Sequence, residues 1–466
     1  MVWFMEQRKH RYVGPPGVSS SRRAHSSREP HLVPCVSLVP GTLGAKKMVA
    51  AGPYGSRFPE GAFEVIAILH PTDGRRSASS LSSLVANMRA EGRAIEVFED
   101  AFASSRRMSG SMSSMGAPLD SWPQILAVGA ADWVAAGDLL GEMKRDRSVQ
   151  HCYVAPPRSV LSRTSGATAR RASSVKPITH WGMDCVNAHG QDAKGVLVGV
   201  VDSGVDRSHP DLKEAVFSYQ NFTAESDKDN DGHGTHVCGI IAGRGVWPGG
   251  MKGVSNARLV VCKGLGERYS ATAYYRALRA AAEGAKIVNL SLGGTVFDQA
   301  EHDIIVNAQG RGVLFIAAMG NDYDGGNETN YPAALRGVVA VGAIGEDLTH
   351  AEFSNSGDHI AVVAPGVEIW STIPTHKSNI FPKQKNYAAC KGTSMATPFV
   401  SGVTAVLYAK DQPADASTVV EQIPVQFCPG QTGWTDALGR GFVSFPAQEG
   451  AKRQPRRKAK KAELDL

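Results

Sequence analysis

Three absences narrow the class of protein before any motif is considered. The chain has seven cysteines in 466 residues but no Cys-x-x-Cys pair, which argues against a zinc site or a dithiol redox motif. It has no run of about 18 apolar residues, so no transmembrane helix is predicted. The best apolar stretch near the N-terminus, residues 31–45, is broken by Pro34 and Pro40 and does not indicate a secretory signal. The compartment stays open, and Met48 is a second candidate start beside Met1.

Positive charge is scarce in the middle of the chain, although the formal net charge is +6. Residues 1–50 hold eight Lys/Arg against two acids, and residues 451–466 hold seven against two, so the ends carry +6 and +5 and the middle carries −5. We therefore predict no nucleic-acid-binding surface in the middle. The two basic ends are interpreted as solvated disordered tails, with binding to anionic polymers or membranes as the alternative.

The stretch from Gly392 to Pro398 reads Gly-Thr-Ser-Met-Ala-Thr-Pro and leads into an apolar run, residues 399–409. A glycine permits a tight turn and proline suits a first helical turn, so Ser394 is predicted at the start of a helix. Free N–H groups and the positive end of the helix dipole would face whatever Ser394 attacks. Taken alone, the stretch fits a simple helix N-cap better than a nucleophile.

Two upstream stretches favour catalysis over capping. Residues 198–206 form an apolar strand-like run that ends in Asp202 and a glycine turn, and residues 231–237 place His233 between glycines. Aspartate, histidine and serine follow in the order found in subtilisin. These stretches resemble the subtilisin-like serine peptidases, the subtilase family, from roughly residue 178 to 445. The resemblance implies an α/β fold, a parallel doubly wound sheet and peptide hydrolysis through an acyl-enzyme.

The chemistry needs a base, an orienting acid and donors for an oxyanion. His233 is the proposed base for Ser394, and Asp202 is expected to fix the imidazole tautomer. Asn321 resembles the oxyanion-hole asparagine of the family, with the Ser394 backbone N–H as a second donor. By itself Asn321 also fits a loop cap. His236 is expected to have a helix-packing role.

Four residues after an apolar strand are predicted to bind substrate. The resemblance assigns Ser291, Leu292, Gly293 and Gly294 to pairing with an extended peptide, which gives affinity with little sequence preference. Asp322 is either a charge near the pocket for the residue before the cleaved bond or a solvated loop acid.

The organisation of the chain follows from composition and pattern. Residues 1–61 are predicted to be a disordered basic segment, 62–155 a small α+β domain, 156–177 a cleavable linker that holds Arg170 and Arg171, 178–446 the catalytic domain, and 447–466 a disordered tail. Strands and helices alternate over residues 62–155, which suggests a ferredoxin-like sandwich. Its position resembles the inhibitory propeptide of subtilases, so the partners expected are protein or peptide substrates and the chain's own prodomain. An unrelated accessory domain is the alternative.

Near-continuous apolar runs in the catalytic region alternate with helical patterns, which is typical of a parallel sheet covered on both faces. The strands are predicted at 196–201, 257–262, 286–292, 312–318 and 337–343, and the helices at 234–243, 268–284, 298–311 and 395–410.

No cofactor is required for this chemistry. Many subtilases bind calcium in a loop after the helix that carries the histidine, but here residues 243–250 contain no acid or amide, and Asp211 alone is too few ligands. We therefore predict that this calcium site is missing. Two other functions were considered: a catalytically silent subtilase-fold binding protein, and an esterase or lipase. The latter lacks support, since no Gly-x-Ser-x-Gly surrounds Ser394.

Overall fold

The computed structural model describes residues 63–69, 86, 88, 90, 95–98, 125–146, 149–161, 163–164, 181–188, 191–247, 250–411 and 421–446. All of them belong to one compact unit, residues 48–466. The predicted tails, the proposed loop insertion at 104–116 and the Arg170-Arg171 pair lie outside the described residues. Within those residues, no helix combines the length and apolar character needed to cross a bilayer.

An antiparallel sheet of four strands stands first in the chain. Its strands and one helix are Phe63–Leu69 (β1), Ile95–Phe98 (β2), Ile125–Ala130 (β3), Val149–Val154 (β4) and Trp133–Met143 (α1). The strand order is β2-β3-β1-β4, and residues 86, 88 and 90 are helical. The Asp132 carboxylate begins α1 by accepting a hydrogen bond from the Ala135 N–H at 2.8 Å. The ferredoxin-like prodomain stays a prediction.

The two faces of this small sheet are buried in different ways. Alternate residues of β1 point to opposite faces, as in any strand. Val65 and Ala67 pack with α1 in a small core of their own. Ile66 and Ile68 belong to a core shared with the catalytic region. The small sheet is therefore attached to the catalytic region by apolar side chains of one face.

The catalytic region is built on one large sheet. Two short linker strands precede it, Ser159–Val160 (β5) and Arg163–Thr164 (β6), together with the short helix Trp181–Cys185 (α2). The nine strands of the sheet are Leu197–Asp202 (β7), Val216–Asn221 (β8), Arg258–Lys263 (β9), Ile287–Leu290 (β10), Leu314–Ala318 (β12), Val339–Ile344 (β13), Ile360–Pro365 (β14), Val425–Gln426 (β17) and Phe442–Val443 (β18).

The order of these strands is β17-β18-β14-β13-β12-β10-β7-β9-β8, and every pair is parallel except β17–β18. The parallel α/β prediction is confirmed. The structure also contains strands that the sequence patterns did not reveal, notably β8 and β14. β8 reads Val-Phe-Ser-Tyr-Gln-Asn and is only partly buried, so it has no continuous apolar run.

Helices cover both faces of the sheet. They are His233–Ala242 (α3), Ala271–Gly284 (α4), Gln299–Gln309 (α5) and Thr393–Asp411 (α6). Residues of α3 and α6 pack in one core with Val198 and Val200, whereas residues of α4 and α5 pack in the other core with Val201. Full burial of each such side chain contributes about 1.5–3 kcal/mol, which holds the strand ends in place.

Two smaller sheets join the linker to the catalytic region. The strands Leu292–Gly293 (β11), Ile369–Ile373 (β15) and Asn386–Lys391 (β16) complete the element list. β5 pairs with β11, and β6 pairs with β16, which in turn pairs with β15. Residues 159–160 and 163–164 therefore contact two separate edges of the catalytic region.

Candidate active site

Ser394 lies at the start of α6, directly after Thr393. Its side chain is buried, and its hydroxyl donates a hydrogen bond to the Ser291 backbone carbonyl at 2.8 Å. The Ser291 hydroxyl in turn donates to the Ser394 carbonyl oxygen at 2.9 Å. The two serines thus tie the start of α6 to the residue between β10 and β11.

Pro398 lies inside α6, beyond the first turn in which the sequence predicted it. A proline inside a helix has no N–H to donate to the carbonyl four residues earlier, which here belongs to Ser394. The Ser291 hydroxyl supplies the missing donor. The helix continues through Pro398 because a side chain from outside it satisfies the released carbonyl.

Asp202 and His233 form a buried pair. Asp202 ends β7 and His233 begins α3, and His233 Nδ1 lies 2.8 Å from Asp202 Oδ1. The close approach requires a glycine at position 234, because a Cβ there would lie 2.1 Å from the Gly204 carbonyl oxygen. Burial lowers the pKa of His233, but the charge and hydrogen bond of Asp202 outweigh it, so the pKa is raised above its usual value.

The Nε2 atom of His233 is buried and has no hydrogen-bond partner among the described residues. Because the Ser394 hydroxyl donates to Ser291 instead, serine and histidine are not hydrogen-bonded to each other here. The structure therefore brings Asp202 and His233 into contact and leaves Nε2 available as an acceptor.

Asn321 follows the strand β12 and points its amide at the linker. Its Nδ2 donates to the Leu161 carbonyl oxygen at 2.6 Å. The Ser394 backbone N–H donates to the same oxygen at 3.4 Å. The orientation of the amide is assigned from its other end, where Oδ1 accepts from the N–H and hydroxyl of Thr393 at 2.8 and 2.9 Å. One carbonyl of the linker thus receives two converging donors.

The predicted substrate-binding residues hold the linker upstream of that carbonyl. Leu292 pairs with Val160 and Gly293 with Ser159 in an antiparallel arrangement.

Ser291 takes part through its backbone carbonyl, which accepts the Leu161 N–H at 3.4 Å. Gly294 differs from the other three, because its N–H and carbonyl bond to Tyr331 at 3.0 and 2.8 Å.

Downstream of Leu161 the linker pairs with a strand that sequence reasoning missed. Thr164 pairs with Cys390 and Arg163 with Lys391 in β16. The apolar run Tyr387 to Cys390, separated from Gly392 by Lys391 alone, was the available signal.

Sequence reasoning also missed a buried acidic cluster beside the upstream linker. Glu301 Oε1 accepts from Arg158 Nε at 3.0 Å, and Oε2 accepts from Nη2 at 2.7 Å. The Tyr274 hydroxyl donates to Glu301 Oε1 at 2.6 Å. Asp298, three residues earlier, accepts from the hydroxyls of Tyr153 and Tyr275 at 2.7 and 2.6 Å. No local motif marks Glu301, since its partner lies 143 residues away in sequence.

Asp211 is fully engaged by hydrogen-bond donors. Its carboxylate accepts from the backbone N–H groups of Val246, Trp247 and Met251 at 2.8, 3.1 and 3.0 Å, and from the Tyr387 hydroxyl at 2.6 Å. N–H groups directed at a carboxylate repel a cation at the same place. Within the described part of the chain, no group of three or more His, Cys, Asp or Glu side chains could hold a metal ion.

Two further residues singled out in the sequence lie at the margin of the site. His236 packs in α3, where Nε2 lies 3.2 Å from the Ala388 carbonyl and the ring stacks on Phe381. Asp322 is exposed and lines a cavity of about 420 Å³ between the linker and β11.

Comparison with known proteins identifies the family of the chain. Residues 193–428, about half of the chain, match the Peptidase_S8 family, described as the subtilase family. The chain belongs to the subtilase family. It is therefore a serine-type endopeptidase, as the names of its relatives also indicate.

This subtilase is 35% identical over 281 residues to the major intracellular serine protease of Bacillus subtilis, with 56% of the chain and 85% of that protein covered. It is 35% identical over 244 residues to subtilisin DY of Bacillus licheniformis, covering 51% of the chain and 85% of that protein. Its fold is similar to the crystal structure of fervidolysin from Fervidobacterium pennivorans, a keratinolytic enzyme related to subtilisin. That match has a TM-score of 0.63 at 21% identity and covers 85% of this chain and 63% of the other.

Proposed function

We propose that this subtilase hydrolyses peptide bonds with Ser394 as nucleophile, His233 as general base and then acid, and Asp202 as the group that orients the imidazole. The observation that carries the proposal is the Leu161 carbonyl, which receives hydrogen bonds from Asn321 Nδ2 and the Ser394 N–H. Donors directed at one carbonyl oxygen stabilise the negative charge that it gains when its carbon is attacked.

The steps follow from these positions. Ser394 Oγ attacks the carbonyl carbon and its proton passes to His233 Nε2. The imidazolium, stabilised by Asp202, donates that proton to the leaving amine, and the C–N bond breaks to give an acyl-enzyme. Water then attacks the ester carbon and gives a proton to His233 Nε2. As the C–O bond to Ser394 breaks, the imidazolium returns that proton to Ser394 Oγ, which releases the carboxylic acid and the free enzyme.

The hydroxyl of Ser394 must turn away from Ser291 before the first step. It rotates about a single bond between staggered positions, so the change needs no backbone movement. The unpartnered Nε2 of His233 is the acceptor that this rotation requires.

The chain's own linker is the first substrate in this proposal, and residues 62–155 act as its cis inhibitor and folding aid. Two contacts support the docking. Glu64 Oε2 accepts from the Thr272 N–H in the first turn of α4 at 2.9 Å, and the Tyr153 hydroxyl accepts from the Ala300 N–H in the first turn of α5 at 2.7 Å. First-turn N–H groups have no carbonyl acceptor within their own helices. The small domain supplies an acceptor for the Thr272 N–H and a second acceptor for the Ala300 N–H, which also donates to the Asp298 N-cap. The bond cleaved is the one after Leu161, rather than one near Arg170.

The alternative is a catalytically silent subtilase-fold protein, and the hydrogen bond from Ser394 to Ser291 is the observation that favours it. A fluorophosphonate probe distinguishes the two, because it reacts only with an activated serine. Purified full-length protein should be labelled on Ser394, whereas the Ser394→Ala protein should not. The wild-type chain should also split with time and give a new N-terminus at Ser162. An unlabelled, uncut wild-type protein supports the silent scaffold.

A further inference from the structure

Arg158 is a deeply buried side chain in the described part of the linker. It lies three residues before Leu161, and its guanidinium and the Glu301 carboxylate are both fully buried. Two parallel hydrogen bonds join them, at 3.0 and 2.7 Å. This bidentate geometry uses the planar fork of arginine, which the single ammonium of lysine does not match.

Glu301 belongs to the catalytic domain and is held in place without the linker. The Tyr274 hydroxyl donates to it from α4, and its position in the first turn of α5 favours a negative charge. Asp298 is the N-cap of the same helix and accepts from Ala300, Glu301 and two tyrosines. Of the two carboxylates, therefore, only Glu301 bonds to the linker arginine.

The arginine side chain passes close to the backbone of Gly294, where there is no space for a larger residue. A Cβ at Gly294 would lie 2.9 Å from Arg158 Nη1 and 2.6 Å from the Pro157 carbonyl oxygen. The remaining guanidinium nitrogen, Nη1, donates to that carbonyl at 3.2 Å. Burial lowers the pKa of Arg158, but Glu301 raises it by more, so the guanidinium stays charged in the pocket.

We infer that Glu301 is a specificity-determining residue, and that this subtilase selects substrates with arginine at the fourth position before the cleaved bond, counted so that the attacked carbonyl belongs to the first. The inference rests on the proposed function, because it uses the linker as a guide to substrate. When the linker leaves, Glu301 loses its cation partner. A substrate arginine restores the pair, whereas an apolar residue leaves the charge unpaired at a high cost.

The test uses peptides with the linker sequence Pro-Arg-Ser-Val-Leu-Ser-Arg-Thr, with Arg, Lys, Ala or Leu at the second place, cleaved by full-length enzyme after self-processing. We expect kcat/KM to fall about 30-fold or more from Arg to Ala or Leu, with Lys in between. Glu301→Gln, which keeps an acceptor for Tyr274, should reduce the preference to a few-fold. Asp303→Asn on the same helix is the matched control and should keep the full preference.

A second measurement does not need a Glu301 variant. In the full-length chain, Arg158→Ala should slow self-cleavage strongly, and Arg158→Lys should slow it less, because only the lysine keeps a positive charge beside Glu301. If wild-type enzyme cleaves the Arg and Leu peptides at equal rates, the selectivity is wrong while peptide hydrolysis stands. If no peptide is cleaved and Ser394 is not labelled, both proposals are overturned.

Discussion

The linker is held differently on the two sides of Leu161. Before it, Ser159 and Val160 pair with β11, and Arg158 adds a buried ion pair with Glu301. After it, Arg163 and Thr164 pair with β16 by backbone contacts. Main-chain pairing accepts many sequences, whereas a desolvated ion pair rejects residues that cannot complete it. The comparison suggests that selectivity lies before the cleaved bond.

The largest effect should come from Ser394→Ala, which keeps the two sides joined. Removal of the nucleophile is expected to lower kcat by roughly 10⁶-fold, the scale seen when a triad serine is lost. Hydrolysis of the Arg-containing peptide by the purified variant measures it, and an intact fold is checked by circular dichroism. Undiminished turnover would contradict the role of Ser394.

Asn321→Ala removes one of the two donors to the Leu161 carbonyl, which lies between the two sides of the linker. Asn321 donates to charge that develops mainly in the transition state, so kcat should fall roughly 10²–10³-fold with little change in KM. Steady-state kinetics on the same peptide separate the two constants, with Asn327→Ala as a control in the following loop. A change confined to KM would refute the oxyanion role.

Acid should lower kcat/KM equally for all peptides, whichever residue they carry before the cleaved bond. The base must be neutral, and Asp202 raises the pKa of His233 above its usual value near 6.5, so kcat/KM should rise with pH to a midpoint above 6.5. Below the midpoint the loss is about tenfold per pH unit. Profiles for the Arg and Lys peptides should share this limb. A limb below pH 6 would show that Asp202 does not stabilise the imidazolium.

Shortening a peptide on the downstream side tests the comparison itself. Removal of the two residues that correspond to Arg163 and Thr164 deletes a few backbone hydrogen bonds, each worth about 0.5–1.5 kcal/mol. The expected loss in kcat/KM is about tenfold or less, smaller than the loss on replacing the upstream arginine. A larger loss downstream would reverse the assignment of selectivity.

Removal of metal ions by chelation should have the smallest effect of these changes. Backbone N–H groups of the loop after α3 already donate to the Asp211 carboxylate. EDTA is therefore expected to change Tm by less than about 2 °C. Scanning calorimetry with and without added calcium measures this. A large fall in Tm that calcium restores would show a cation site and contradict the prediction that this calcium site is missing.

Much of the fold was predictable because buried parallel strands leave continuous apolar runs, as in β7 and β12. The positions of Asp202, His233 and Ser394 were suggested by glycines that allow close approach and by chain order. β8 was missed because its burial is partial.

The contacts that define selectivity were not predictable. Glu301 and Arg158 are distant in sequence, and only the fold joins an N-terminal helical turn to the linker. The hydrogen bond from Asn321 to the Leu161 carbonyl likewise depends on the pairing of the linker strand β5 with β11. The rotamer of Ser394 depends on the Ser291 carbonyl, which no side-chain pattern encodes.

The exchange of hydrogen bonds at Pro398 has a mechanical consequence. The Ser291 hydroxyl makes the hydrogen bond that Pro398 cannot make. Ser291 therefore positions both the segment that pairs with the linker and the helix α6, which carries Ser394. A displacement of the linker-pairing segment therefore also moves the start of α6, so the bound peptide and Ser394 keep their relative positions. The alignment of the reacting atoms then depends on this one short bridge as well as on the packing of α6 against the sheet.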